Sequence, residues 1–280
     1  MARRPRRSRF ISWARASASS AGISTTCCAR RGSPSSAAPP LRPSKSLLST
    51  VASTLAGSSR RSINEHDAKR LLAAAGLPVV RAEPVATRDE AFAAAKRIGY
   101  PVVLKLVADD VPHRSELGLV AVRLRDAEDL AAAWDRMAAV RTGALANIPI
   151  DGFVVQQMVS DGVEVLAGVT SDADFGPVLA FGLGGVLVEA LEEIALCALP
   201  LREGDAERLV SETTAAKVLA GVRGRPPADV DALVQCLYAL GDYAWADRSH
   251  IAEIDVNPIV VLPRGRGCVV VDALVVPRTA

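Results

Sequence analysis

The sequence predicts an α+β fold of two lobes, and three observations carry that reading. From about residue 62 onward, strand-like apolar runs alternate with helix-like amphipathic stretches. They do so without the regular strand–helix–strand rhythm of a single doubly wound sheet, which points to mixed or antiparallel sheets. Half of the 280 residues are hydrophobic but only 4% are aromatic, so a sizeable core is available and is built from Ala, Val, Leu and Ile.

The first 62 residues do not join that pattern. They hold 12 Lys and Arg and no acid, in stretches such as RRPRRSRF and GSPSSAAPPLRP. Such a segment cannot bury enough surface to fold, and a disordered leader is predicted over 1–62. Three readings fit it: an organelle transit peptide, a basic tail for nucleic acid, or a non-native leader such as a misplaced start codon leaves.

Order is predicted from Ser62. Asn64 to Ala75 places Ala68, Leu71, Leu72 and Ala75 at helical spacing, with Gly76 and Pro78 as the stop. Val79–Val80 suggests a short strand. Thr87 and Glu90 form a capping box for a helix to Ile98. VVLKLV (Val102–Val107) is an apolar strand carrying one Lys. A loop over Ala108–Gly118, a strand over Leu119–Leu124 and a helix from Asp126 to about Val140 follow.

The second half starts with strands at Phe153–Val159, from Val163, and in PVLAFGLGG. Helices are predicted over Glu203–Thr213 and from Pro226–Pro227 to Ala246. Two strands, HIAEIDV and CVVVDALVV, close the chain. Lobes of 63–157 and 158–280 are expected.

Charge and composition exclude some functions. Beyond residue 62 there are 21 basic and 31 acidic residues, a net charge of −10. Bulk charge therefore gives this part no attraction for nucleic acid or an anionic membrane. No apolar run approaches the roughly 20 residues of a membrane helix. Cys27, Cys28, Cys197, Cys236 and Cys268 show neither metal-ligand spacing nor a disulfide framework, which fits a reducing, cytoplasmic setting.

Four features could carry chemistry. Lys105 lies inside an apolar strand, where a buried ammonium needs an anion; a nucleotide phosphate or a structural carboxylate would serve, or its stem could snorkel from a strand end. His113, in the loop DDVPHRSELG, is either a solvated residue or a phosphoryl acceptor, since imidazole is a good nucleophile toward phosphorus. Gly182, Gly184 and Gly185 give a turn whose backbone could approach phosphate, or only a turn. No phosphate-binding GxxxxGK[ST] loop exists. Finally, Glu253, Asp255 and Asn257 alternate on one strand face, and Asp272 sits in a nearby apolar strand. Such oxygen donors suit Mg²⁺; a polar outer face is the plainer reading.

Taken in order, AKRLLAAAGLPV, IGYPVVLKLV, HRSELG, FVVQQMV, GVEVLAGV, FGPVLAFGLGGVLVE, GVRGRPPAD and EIDVNPIVVL…VVVDA resemble one family. It is the ATP-grasp domain of nucleoside-diphosphate-forming acyl-CoA synthetases, such as ADP-forming acetyl-CoA synthetase, related to the succinyl-CoA synthetase β subunit. The resemblance runs from Ile63 to Ala273. It implies ATP or ADP and Mg²⁺ as cofactors. Lys105 would meet nucleotide phosphates, Gln156, Gln157 and Val159 would hold adenine, and Glu164 the ribose. Gly184 and Gly185 belong to the glycine turn. Asn257 and Asp272 would ligate Mg²⁺, and His113 would accept phosphate.

The implied reaction is acyl-CoA + ADP + phosphate ⇌ acid + CoA + ATP. Nothing in the sequence resembles a CoA site, so the expected partner is a CoA-binding, α-type ligase subunit in a hetero-oligomer. The pattern departs from the family at three places. Leu119 replaces a second glycine, Gln157 an acid, and Cys197 an arginine. These departures keep two alternatives in view: a noncatalytic or truncated nucleotide-binding module, and a carboxylate ligase without a phosphohistidine.

Overall fold

The computed structural model describes residues 63–107, 118–143, 145–146, 148, 150–172, 174–185, 193–222 and 224–278. The described chain forms two units, one of residues 80–160 and one of residues up to 79 together with those from 161 onward.

In the 80–160 unit the order is β1 (Ala82–Val85), α2 (Arg88–Ile98), β2 (Val102–Val107), β3 (Val120–Leu124), α3 (Ala127–Thr142) and β4 (Gly152–Gln157), after α1 (Glu65–Ala74) in the other unit. The strands make an antiparallel sheet in the order β1-β4-β2-β3. Both helices start where side chains satisfy open N–H groups. Thr87 accepts from Glu90 N–H while Glu90 reaches back, and Asp126 accepts from Asp129 N–H. One sheet face, with Val102, Leu104, Leu106, Phe153 and Val155, packs with Ala91, Ala94, Leu130 and Met137 of the helices. Trp134 stacks on Phe153 with ring centroids 4.2 Å apart.

The other unit holds α1, then β5 (Val163–Asp172), β6 (Gly176–Leu183), β7 (Ile194–Ala198), α4 (Asp205–Ser211), α5 (Ala215–Leu219), α6 (Val230–Ala246), β8 (Ile251–Val261), β9 (Cys268–Val270) and β10 (Ala273–Pro277). Its antiparallel sheet runs β10-β8-β5-β6-β7, with β9 also paired to β8. Strand alternation sends Val165, Ala167, Val169, Leu179, Phe181, Ile254 and Val256 into a core shared with Leu71, Leu233, Leu237 and Leu240 of the helices.

Four expectations are corrected here. Residues 63–79 do not belong with the 80–160 lobe: Ile63 bridges Val275, Val79 bridges Val270, and Leu71, Leu72 and Leu77 join the core of the C-terminal half. Val79–Val80 makes that single bridge, and the strand that follows begins at Ala82. The last long helix starts at Val230, not at the proline pair, because Asp229 caps it and also accepts from Gly267 N–H at 2.8 Å. That bond holds the Asp229 carboxyl below the usual carboxylate range. CVVVDALVV is two strands broken at Val271–Asp272. β7 and α5 were not foreseen. Residues 1–62 lie outside the described residues.

Among the described residues no helix is long and apolar enough to cross a membrane. Cys197, Cys236 and Cys268 are buried free thiols.

Candidate functional site

The candidate residues fall into both units. In the 80–160 unit, Lys105 is 7% exposed on a strand whose residues are all buried. It lies directly between Val154 of β4 and Val120 of β3. By alternation it shares a face with Val103 and Val107, opposite the face that packs on α2 and α3. Gln156, 1% exposed, stands opposite Val103 and so sits diagonally from Lys105 on that same face. A buried cation and a buried amide thus share one sheet surface away from the helical core.

Gln157 differs. It pairs with Val102, whose side chain enters the helical core, so its own side chain projects to that same side, away from Lys105, and is exposed. Its backbone N–H donates to Arg81 O at 2.9 Å and that of Met158 to Pro101 O at 3.2 Å, while Val159 is half-buried. The structure brings Gln156 beside Lys105 but not the Gln157 side chain, so the missing acid at 157 removes no carboxylate from that face. Leu119 is fully buried in the core, and its carbonyl accepts from Leu106 N–H at 2.8 Å. Leucine at that place fills the core. His113 lies outside the described residues.

In the second unit the sheet face opposite the helical core carries Glu164, Gly168, Glu253, Asp255 and Asn257. Asp255 stands opposite Gly168 and Glu253 opposite Thr170. Cys197 projects to the other face and is buried in the core. A thiol there is a core residue, and the expected loss of a phosphate contact at 197 does not follow.

Gly184 and Gly185 close over Glu164. Gly184 N–H donates to Glu164 O at 2.8 Å. A Cβ on Gly184 would lie 2.9 Å from Glu164 C and 3.0 Å from its O; one on Gly185, at φ +74°, would lie 2.9 Å from Glu164 Oε2. Gly184 is required by this close approach to the β5 backbone, and Gly185 is favoured by its left-handed φ, since the Glu164 side chain could move aside. Gly184 N–H is already donated to protein, so it is not a phosphate donor as the glycine-turn expectation had it.

Asn257 and Asp272 meet at an irregularity. Val165 pairs with Ile259 but Ala167 with Val256, so β8 carries one extra residue at Asn257–Pro258. Such a bulge bends the strand and re-aims its side chains. It lets both Val256 and Ile259 enter the core while Asn257 is exposed on the opposite face. The neighbouring strand breaks at the same level: Asn257 N–H donates to Asp272 O at 3.2 Å, and Val271 N–H to Pro258 O at 3.0 Å. Asp272 is half-buried, and its Oδ1 accepts from Ala273 N–H at 2.8 Å. An amide and a carboxylate side chain therefore flank one backbone hydrogen bond. This hard-oxygen donor set fits Mg²⁺, which takes few protein ligands and completes its shell with water and phosphate. No cluster of three or more His, Cys, Asp or Glu suited to a metal occurs among the described residues.

Sequence reasoning missed Glu65 and Lys69. Both are buried on α1, Lys69 Nζ lies 2.9 Å from Glu65 Oε1, and it reaches 3.5 Å from Val271 O beside Asp272. The available signal was their helical spacing with Leu72, which sets both on the apolar stripe. A cavity of about 460 Å³ among α4, α5 and α6 is lined by Val210, Ala216, Val230 and Val234 and by none of the candidate residues.

Comparison with known proteins shows the family. Residues 54–276 match the ATP-grasp domain family. The β subunit of acetate–CoA ligase [ADP-forming] II from Pyrococcus furiosus is 36% identical over 217 residues, covering 78% of this chain and 92% of that one. A solved structure of dinucleotide-forming acetyl-coenzyme A synthetase 1 from Ca. Korarchaeum cryptofilum, in complex with coenzyme A, Ca-AMPCP and HgCl+, superposes with a TM-score of 0.77 at 36% identity, covering 84% of this chain and 100% of that one. A second structure of that protein holds Mg-AMPPCP with its phosphohistidine segment pointing towards the nucleotide binding site; its TM-score is 0.70 at 35% identity, covering 82% of this chain and 99% of that one. The chain spans only 30% of longer relatives such as the 4-hydroxybutyrate–CoA ligase [ADP-forming] of Nitrosopumilus maritimus. A bulge-borne amide beside a carboxylate, a buried strand lysine and a glycine turn closed over Glu164 thus sit in a chain that belongs to the ATP-grasp domain family, of the kind found in β subunits of ADP-forming acetyl-CoA synthetases.

Proposed function

We propose that this chain is the nucleotide-binding subunit of an ADP-forming acyl-CoA ligase. The observation that carries the reading is the meeting of Asn257 and Asp272 across the Asn257 N–H to Asp272 carbonyl bond. Asn257 and Asp272 hold Mg²⁺, which when bound neutralises nucleotide phosphate charge. Lys105 supplies a fixed positive charge to those phosphates, and burial makes that charge count for more than in water. Gln156 and the backbone through Val159 hold the base, and Glu164 holds the ribose.

His113 takes the phosphoryl group. Its imidazole nitrogen bonds to phosphorus as the acyl-phosphate O–P bond breaks and releases the carboxylate. ADP then attacks that phosphorus, the N–P bond breaks, and ATP and neutral imidazole result. Positioning and charge neutralisation are the protein's main contributions to such transfers. The acyl phosphate and CoA are handled by a CoA-binding, α-type partner, so the working form is a hetero-oligomer. The free buried thiols fit a cytoplasmic setting.

The test is ATP binding by calorimetry, with Mg²⁺ and with EDTA, to the full chain and to Asp272→Ala. Mg²⁺ should tighten binding to the wild type at least tenfold and do little for the variant. Equal ATP affinity in Mg²⁺ and EDTA for the wild type would overturn the assignment.

A further inference from the structure

We infer that Lys69, held by Glu65, is a positioning residue for the Asn257–Asp272 pair. The inference rests on the reading of that pair as metal ligands. Lys69 and Glu65 are 3% and 6% exposed, so α1 carries a nearly dry ion pair with Nζ 2.9 Å from Oε1. Buried pairs of this kind are poor sources of stability, since apolar residues of similar volume often do as well. The geometry supplies another use. Lys69 Nζ also reaches the Val271 carbonyl at 3.5 Å, on the peptide that links Val271 to Asp272.

That peptide is the point at which β9 and β10 part. The strand ladder is interrupted there, and Val271 N–H to Pro258 O and Asn257 N–H to Asp272 O bridge the break to β8. The segment containing α1 is stitched to the two strands on either side of the break. Ile63 N–H donates to Val275 O at 2.9 Å, and Val270 N–H donates to Pro78 O at 2.7 Å. Lys69 lies between these two ties in sequence and reaches the break itself. The segment acts as a splint across the kink. The ammonium, itself oriented by Glu65, holds the Val271 carbonyl and so fixes the peptide plane from which Asp272 projects.

The informative variant is Glu65→Leu with Lys69→Met, which removes both charges together while keeping the volume. Mn²⁺ is the probe, titrated by electron paramagnetic resonance into the full-length chain with ADP present. Outer-shell residues that orient metal ligands are worth about 10–100-fold in metal affinity. The double variant should lose about tenfold in Mn²⁺ affinity while ADP binding in EDTA stays unchanged. Amide exchange at Val271 and Asn257 should quicken, with that of β5 and β6 unaltered. Mn²⁺ affinity and exchange both as in the wild type would overturn the positioning role, as would an equal loss of ADP binding in EDTA, which marks general damage. Asp272→Ala separates the two claims. If it abolishes Mn²⁺ binding while the double variant binds Mn²⁺ as tightly as the wild type, the splint falls and the ligand assignment stands. If Asp272→Ala binds Mn²⁺ as the wild type does, both fall. Should the double variant fail to fold, Lys69→Arg is read by the same exchange measurement: a guanidinium retains the charge but not the ammonium geometry, and unchanged exchange at Val271 and Asn257 would overturn the role.

Discussion

Gly184→Ala is the sharpest test of how the sheet shapes the Glu164 corner. The added Cβ would stand 2.9 Å from Glu164 C, 3.0 Å from Glu164 O and 3.0 Å from Val165 C. All three are backbone atoms of β5, which is flanked by β8 and β6 and cannot swing aside. Ordinary contact for a Cβ begins at 3.4 Å, so the strands must part by roughly half an ångström. The Gly184 N–H to Glu164 O bond of 2.8 Å lengthens with them. Overpacking of this kind costs about 1–3 kcal/mol, and weakening the bond adds about 1 kcal/mol. A total of about 2–4 kcal/mol lowers the melting temperature of a unit this size by roughly 5–15 °C. Scanning calorimetry reads that directly. Gly76→Ala is the control, because its φ is +90° but nothing lies within 4 Å. It should cost only the left-handed backbone penalty, about 1–2 kcal/mol. A Gly184→Ala protein melting within 2 °C of wild type, in a scan that resolves differences of about that size, would refute the close-approach argument.

Four further outcomes follow from the same structure. Lys105→Met should weaken ATP binding by about 10–100-fold, the worth of one charge-assisted hydrogen bond, as measured by calorimetry; unchanged affinity would remove Lys105 from the site. Arg123 has φ +59° within β3, so Arg123→Gly should raise stability by about 1 kcal/mol in urea titration, and a loss would show that the side chain matters more than the backbone. Thr87→Ala removes the reciprocal cap of α2 and should cost about 1 kcal/mol. Asp229 has its carboxyl pKa lowered by the Gly267 N–H. A lowered folded value contributes stability that is present above the unfolded value of about 3.9 and lost as pH falls through the folded one. Asp229→Asn should therefore melt below wild type at pH 7, and the gap should close as the pH falls below about 4.

Local signals were the legible ones. The Thr87–Glu90 box, the Asp126 cap and the lone Lys within VVLKLV follow from residues close in sequence, and each stands where expected. What escaped was set by distant pairing. Nothing near Val271 announces that β8 bulges at Asn257–Pro258 at the level where the neighbouring strand breaks, so CVVVDALVV read as one strand. Residues 63–79 read as part of the neighbouring lobe because their hold on β9 and β10 spans about two hundred positions. The glycines at 184 and 185 read either as a phosphate-approaching turn or as a turn alone, because a turn's sequence does not show which backbone it will press against. Cys197 shows the same limit from the other side. Its loss of an arginine looked functional until strand parity placed the side chain in the core.

The central claim is that phosphate passes through His113. The direct measurement is labelling of the full-length chain with γ-labelled ATP and Mg²⁺, beside His113→Ala. The account predicts an acid-labile, base-stable label on the wild type and none on the variant. A label that persists in His113→Ala, or no label on a wild-type chain that binds ATP, would contradict it.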